Sequence, residues 1–249
     1  MDSIRLFEFE VSTNIANLGL AKELQSLSNK WLCEVTPKKY PHNFKWLGRP
    51  IIQCPQDIVA MQELIWQVQP DLIIETGIAH GGSMIFYASM LELNAICRGC
   101  QDAEVLGIDI DIRAHNRQAI EAHPMFKRIS MIQGSSIASE VIEQVKEKAA
   151  GKQKILVCLD SNHTHDHVLA ELEAYAPLVS VGSYCVVFDT VIEDLPDDMF
   201  PDRPWGKGNN PKTAVWEYLK THPEFEVDKS IQHKLLITVA PDGYLKRVH

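Results

Sequence analysis

The chain has 249 residues, 45% of them hydrophobic, and its 24 Lys+Arg against 33 Asp+Glu leave a net charge of −9. That length and composition support one large domain with a real core, or two small ones. The acidic balance argues against a nucleic-acid partner held on a broad basic surface, and no run approaches the ~18 apolar residues of a membrane span.

In chain order, the opening MDSIRLFEFEVSTN carries early acids and no apolar core, unlike a secretory signal. From Ile15 to Trp31, Ile15, Leu18, Leu20, Leu24 and Leu27 fall mostly on one face of a helix. The following stretch, rich in Pro and aromatics, reads as an extended segment that crosses the domain or covers a pocket. Its Trp31, Tyr40, Phe44 and Trp46 are read as packing residues before site residues. Residues 1–50 thus form an N-terminal extension, and 51–249 the main domain. Asp57 is expected to cap a helix running to Val68.

From Asp71 strands and helices alternate. Strands are expected over 71–75, 104–109, 129–133, 154–160 and 183–189. Helices are expected over 83–94, 112–121, 137–149, 165–175 and 211–220, with Ser83 and Thr164 as caps. Two last strands, near 224–231 and 234–240, are expected to meet at a short turn at Gln232–His233. This pattern predicts an α/β domain: a mostly parallel seven-stranded sheet, helices on both faces, and a C-terminal antiparallel hairpin. Six cysteines in such a chain suit a reduced, cytoplasmic protein, and Cys97 and Cys100 read as a reduced loop pair rather than a metal or redox site.

In an open parallel sheet, ligands lie beyond the carboxyl ends of the strands. The first strand ends in Glu75 and a turn containing Gly77, His80, Gly81 and Gly82. The second ends in Asp109, the third in Gly134, Ser135 and Ser136, the fourth in Asp160, Asn162 and His163, the fifth in Asp189 and Thr190. Asp109 stands where such folds bind ribose hydroxyls, and Asp111 is read as a cap. ETGIAHGGS is not the GxGxxG of a pyrophosphate binder, which argues against a nicotinamide-dependent oxidoreductase. An acid before the first glycine suits a ligand with an ammonium group, and S-adenosylmethionine has both that group and a ribose. Asp160 and Asp189, with Thr190 or a neighbouring oxygen, make a hard site for Mg²⁺, preferred over zinc or iron although His163 and His167 are four apart. His163 is placed to accept a proton from a substrate hydroxyl. The loop DLPDDMFPDRPWGKGNNP reads as a lid or specificity element, with Arg203, Trp205, Lys207 and Lys212 as candidate substrate contacts.

The segments ETGIAHGGS, GIDID, LDSNHTHDHV, VVFDT and NNPKTAVWEYL resemble the cephalosporin hydroxylase-like family, whose relatives include sugar O-methyltransferases of macrolide pathways. The similarity spans roughly residues 50–247. It implies a Rossmann-like methyltransferase fold with S-adenosylmethionine at Glu75, Gly77, Ser83 and Asp109. His80, Gly81, Ser135, Ser136 and Asp160 complete the expected cofactor set. It also implies a divalent metal at Asp160 and Asp189, with Asp160 and His163 matching an Asp-x-x-His that supplies ligand and base. Thr190 departs from the acid or Asn usual after the second aspartate, so Glu193 or Asp194 are alternative third ligands. The expected activity is methyl transfer to a hydroxyl of a sugar, glycan, glycolipid or natural product, by a homo-oligomer. A non-catalytic, cofactor-binding partner of a tailoring enzyme is the alternative.

Overall fold

A computed structural model describes residues 2–99 and 101–249. Cys100, half of the expected loop pair, lies outside the described residues. Two helices open the chain, α1 (Ser3–Leu20) and α2 (Lys22–Val35). Two short turns of 3₁₀-helix follow, then a two-stranded hairpin, β1 (Phe44–Trp46) and β2 (Arg49–Ile51). Leu47 and Gly48 turn it with φ of 44° and 88°, the left-handed pair that a tight hairpin requires. Next comes α3 (Pro55–Val68). Its N-cap is Cys54, with Pro at the first helical position, and not the expected Asp57. Asp57 is buried instead, accepting from Thr238 Oγ1, Val239 N at 2.9 Å and Tyr244 Oη at 2.8 Å.

The main sheet comprises β3 (Leu72–Thr76), β4 (Glu104–Asp109), β5 (Ile129–Gln133), β6 (Ile155–Leu159), β7 (Tyr184–Val187), β8 (Phe225–Val227) and β9 (Tyr244–Arg247). The helices between them are α4 (Gly82–Arg98), α5 (Ala114–Glu121), α6 (Ser139–Ala149), α7 (His165–Tyr175), α8 (Pro211–Tyr218) and α9 (Lys229–Leu235). The seven strands lie in the order β5-β4-β3-β6-β7-β9-β8. β3 to β7 are parallel, while β9 runs antiparallel to both β7 and β8. Every residue of β3, β6 and β7 is buried, as expected of strands covered on both faces. One core packs α3 and α4 against the sheet, and a second packs α6, α7 and α8 on the opposite face.

The expected C-terminal antiparallel pair is present as β8 and β9, but its bounds and its connection differ from those expected. Asp228 accepts from Ser230 N and opens a helix at Lys229, so Gln232 and His233 are helical and no turn joins two strands there. The last strand begins at Tyr244, after the turn at Pro241–Gly243. Sheet order reverses between β4 and β6, on either side of β3. That opens the crevice where such sheets hold ligands.

Candidate active site

The site is built first by the turn after β3. Gly77 has φ +92°, and a Cβ there would lie 2.1 Å from the carbonyl oxygen of Asp160. A side chain at this position would therefore separate the ends of β3 and β6. Asp109, at the end of β4, holds the same turn: Oδ2 accepts from Ile78 N at 2.8 Å and Ala79 N at 3.2 Å, and Oδ1 from Asp111 N at 2.9 Å. Asp111 is not a helix cap; Arg113 occupies the N-cap of α5. Outside the turn, Arg49 Nε donates to His80 O at 3.0 Å and its Nη2 to Asn116 Oδ1 at 3.1 Å, while Asn116 Nδ2 donates to Ala79 O at 2.9 Å. These two braces carry no motif and were not legible in the sequence. Only their juxtaposition in the fold reveals them.

Ser83 does not cap α4, whose N-cap is Gly81. It donates to Glu75 Oε2 at 2.8 Å instead. Glu75 is wholly buried and its Oε1 has no protein partner. Burial pushes its carboxyl up to about 8, Asp109 adds to the rise, and the Ser83 hydrogen bond opposes it. A buried acid with an open oxygen suits a cationic ligand group.

Across the crevice, β6 and β7 deliver the second cluster. Asp160 N donates to Thr76 O at 3.0 Å, fixing the end of β6 beside the turn. Asp189 has φ +55°, a left-handed conformation that costs energy in a non-glycine residue and commonly marks a functional position. His163 Nε2 lies 3.3 Å from Asp189 Oδ2. Asp160, His163 and Asp189 each offer one ligand atom within 4.8 Å of the others. Burial first, then the charge of Asp189, holds the Asp160 carboxyl well above the usual range. Two carboxylates repelling at such a distance, with an imidazole beside them, fit a divalent cation.

Thr190, expected among the ligands, is buried and donates to Pro241 O at 2.7 Å, so its oxygen is turned into the fold. Neither acid beyond it replaces it. Glu193 accepts from Gly208 N at 2.8 Å and from Asn210 Nδ2, and Asp194 pairs with the buried Lys212. The third donor brought to the cluster is His163.

Both parts line one cavity of about 620 Å³, reached by Gly77, His80, Ser83, Asp160, His163 and Asp189. Its far wall comes from the segment 32–42 and from the loop after β7, including Phe200, Arg203 and Trp205. The His163 and Trp205 rings meet edge-on, their centroids 4.8 Å apart. Lys207 pairs with exposed Asp197, and neither it nor Lys212 lines the cavity. Trp31, Tyr40 and Phe44 stack edgewise on one another and Trp46 on Phe86, all outside the cavity lining. A smaller recess of about 120 Å³ adjoins it, sharing Gly77 and Ser161, and is lined by Asp109, Ser135, Ser136 and His167.

The family model for Rhamnosyl O-methyltransferase/CmcI matches residues 38–248. The chain belongs to this family. It is 31% identical over 84% of its length to a rhamnosyl O-methyltransferase of Mycobacterium tuberculosis (strain ATCC 25618 / H37Rv), covering 82% of that protein. The rhamnosyl O-methyltransferase of Mycobacterium leprae is 30% identical, over 81% of this chain and 82% of its own. Among solved structures, CmcI with Mg and SAM superposes with a TM-score of 0.58 at 18% identity, covering 84% of this chain and 78% of that one. An O-methyltransferase from Bacillus cereus in complex with SAH gives 0.52 at 14% identity, over 80% and 81%. These likenesses bear out the expected family and Rossmann-like methyltransferase fold.

Proposed function

We propose that this protein transfers the methyl group of S-adenosylmethionine to a hydroxyl of a sugar, borne by a glycan, glycolipid or natural product, with a divalent cation at Asp160 and Asp189. By family it is an S-adenosylmethionine-dependent O-methyltransferase. Its curated relatives are named for a rhamnosyl acceptor, which favours a deoxysugar here. The observation that carries the reading is that the glycine turn and the Asp160–His163–Asp189 cluster open onto a single cavity.

Each residue then has a task. The open oxygen of Glu75 faces the demand for a cation, which the ammonium of the methyl donor meets, with Ser83 holding the carboxylate. Gly77 and His80 bring backbone close to the ligand, Gly81 serves as the N-cap of α4 outside the cavity lining, and Asp109, Ser135 and Ser136 flank the recess that suits the nucleoside. Asp160 and Asp189 hold the cation, preferably Mg²⁺, which when bound supplies the charge that makes an acceptor hydroxyl easier to deprotonate. His163 takes that proton, and the Asp189 carboxylate, with Oδ2 3.3 Å from Nε2, stabilises the charge the ring acquires. The apolar far wall, with Leu195, Met199 and Phe200, excludes water, and much of the rate enhancement comes from alignment of donor and acceptor.

The surface supports self-association as the partner choice. Ile4, Phe7 and Phe9 on α1 are 64%, 65% and 65% exposed, a run of large apolar side chains that a monomer rarely leaves to water. The helix carries more acid than base, which disfavours an anionic membrane surface. No helix among the described residues is long and apolar enough to cross a membrane.

The test is His163→Asn, which keeps a side chain of similar reach but removes the base. Methyl transfer to a rhamnosyl glycoside should fall by ~10²-fold or more, while calorimetry finds cofactor and Mg²⁺ affinities close to wild type. Loss of Mg²⁺ affinity with transfer rescued at high Mg²⁺ would make His163 a ligand and not the base.

A further inference from the structure

His167 stands apart from the cluster just described, and its surroundings are built. Its Nε2 lies 3.0 Å from Ser136 Oγ, 3.3 Å from Ser161 Oγ and 3.5 Å from Glu171 Oε1. Ser161 spends its own hydroxyl hydrogen on Glu171 Oε1 at 2.6 Å, so it presents lone pairs to the imidazole. Glu171 is fully buried in α7, one turn beyond His167, and its second oxygen has no protein partner. Ser136 is anchored in turn, its carbonyl accepting from the buried Tyr175 hydroxyl. Oxygens that can accept therefore converge on one ring nitrogen. A neutral imidazole in that setting carries its proton on Nε2 and leaves Nδ1 as an acceptor. Among the described residues Nδ1 has no hydrogen-bond partner, and the ring lines the ~120 Å³ recess beyond β4, β5 and β6. His165, two residues earlier, is used differently: its Nδ1 bonds Thr213 Oγ1 at 2.9 Å, away from the recess lining.

A recess of this size takes one planar heterocycle, and the His167 ring in its lining has Nε2 committed to Ser136, Ser161 and Glu171 and Nδ1 uncommitted. We propose that His167, with its tautomer set by Glu171, reads the base of the bound nucleoside by accepting a hydrogen bond from an exocyclic amine. It thereby selects a 6-amino purine over a 6-oxo purine, whose oxygen would face Nδ1 with two acceptors and no hydrogen between them. This rests on the recess being the nucleoside end of the methyl-donor site. Glu171 does not touch the ligand and is a positioning residue.

The experiment is calorimetric titration of the full-length protein with S-adenosylhomocysteine and with S-inosylhomocysteine. Wild type should bind the adenosyl compound at least ~10-fold more tightly, since a site built to pair one polar group rejects an analogue that leaves it unpaired. His167→Ala should bind the adenosyl compound more weakly and bring the ratio to within about 3-fold. Glu171→Gln, which keeps the shape and loosens the tautomer, should lower the ratio part-way and serves if the alanine variant does not fold. Equal binding of both compounds by wild type, or a wild-type ratio retained in both variants, overturns the proposal. If wild type binds neither compound, the cofactor reading itself falls, and this one with it.

Discussion

Glu75 concentrates the physical tension of the site in one side chain. Its carboxyl is buried, burial raises its pKa in the folded chain to about 8, and the hydroxyls of Ser83 and Tyr87 oppose the rise. A raised carboxyl pKa means that the folded state holds a proton the unfolded chain has released. The stabilisation is fully present below the ordinary carboxylate value and is lost as pH rises towards about 8. Thermal melts of the ligand-free protein should therefore show stability falling over that window, and Glu75→Gln should flatten the fall and raise the melting temperature at pH 8 to 9. Identical pH profiles for the two proteins would contradict this assignment. The same residue marks what a sequence can and cannot disclose. That an acid precedes the glycine turn was legible. That Ser83 would serve it and not cap α4 was not, because both roles use the same hydroxyl and only the fold decides which partner lies within 2.8 Å. Thr190 misled in a related way: it follows Asp189 in sequence, but Asp189 is left-handed and the next hydroxyl swings inward to Pro241.

At the scale of elements, the turn after β3 is the least forgiving. Gly77→Ala would set a methyl group 2.1 Å from a backbone oxygen at φ +92°. The variant should lose ~2 kcal/mol or more of stability. Differential scanning calorimetry and cofactor titration should report a lower melting temperature and weaker binding together, and an unchanged protein would remove the turn from the account. The strands β3, β4, β6 and β7 were readable because each is a largely apolar run bounded by turn signals, as suits parallel strands inside a sheet, and the edge strand β5 from its place in the alternation of strands and helices. The C-terminal part was harder. Residues 236–240 are largely apolar and partly β-branched, yet they run as an irregular segment, with Val239 on the cavity wall, since Asp57 collects Thr238 and Val239 there. A contact spanning 181 residues leaves no local trace in the sequence. The same holds for Arg49 and Asn116, which brace the turn from two other elements. The cluster residues Asp160, His163 and Asp189 were each visible at a strand end, because the parallel sheet delivers every such end to one rim.

For the whole molecule, α1 is the part the domain does not explain. Val11, Ile15 and Leu18 are half-buried, but the stripe continues outward to Ile4 and Phe7 with nothing among the described residues to cover them. Light scattering on the purified protein should give a mass above one chain, and Ile4→Glu with Phe7→Glu should reduce it to a monomer that still binds the methyl donor. A wild-type monomer at micromolar concentration would contradict self-association. The domain itself joins the crevice at the sheet's switch point to an acid–imidazole cluster one strand away, beneath a wall made by the segment 32–42 and the loop after β7. That arrangement is tested most directly by measuring labelled methyl transfer from S-adenosylmethionine to a rhamnosyl glycoside before and after metal removal. Transfer should fall to background with a chelator and return on adding Mg²⁺. Transfer undiminished by the chelator, or none at all with metal present, would contradict it.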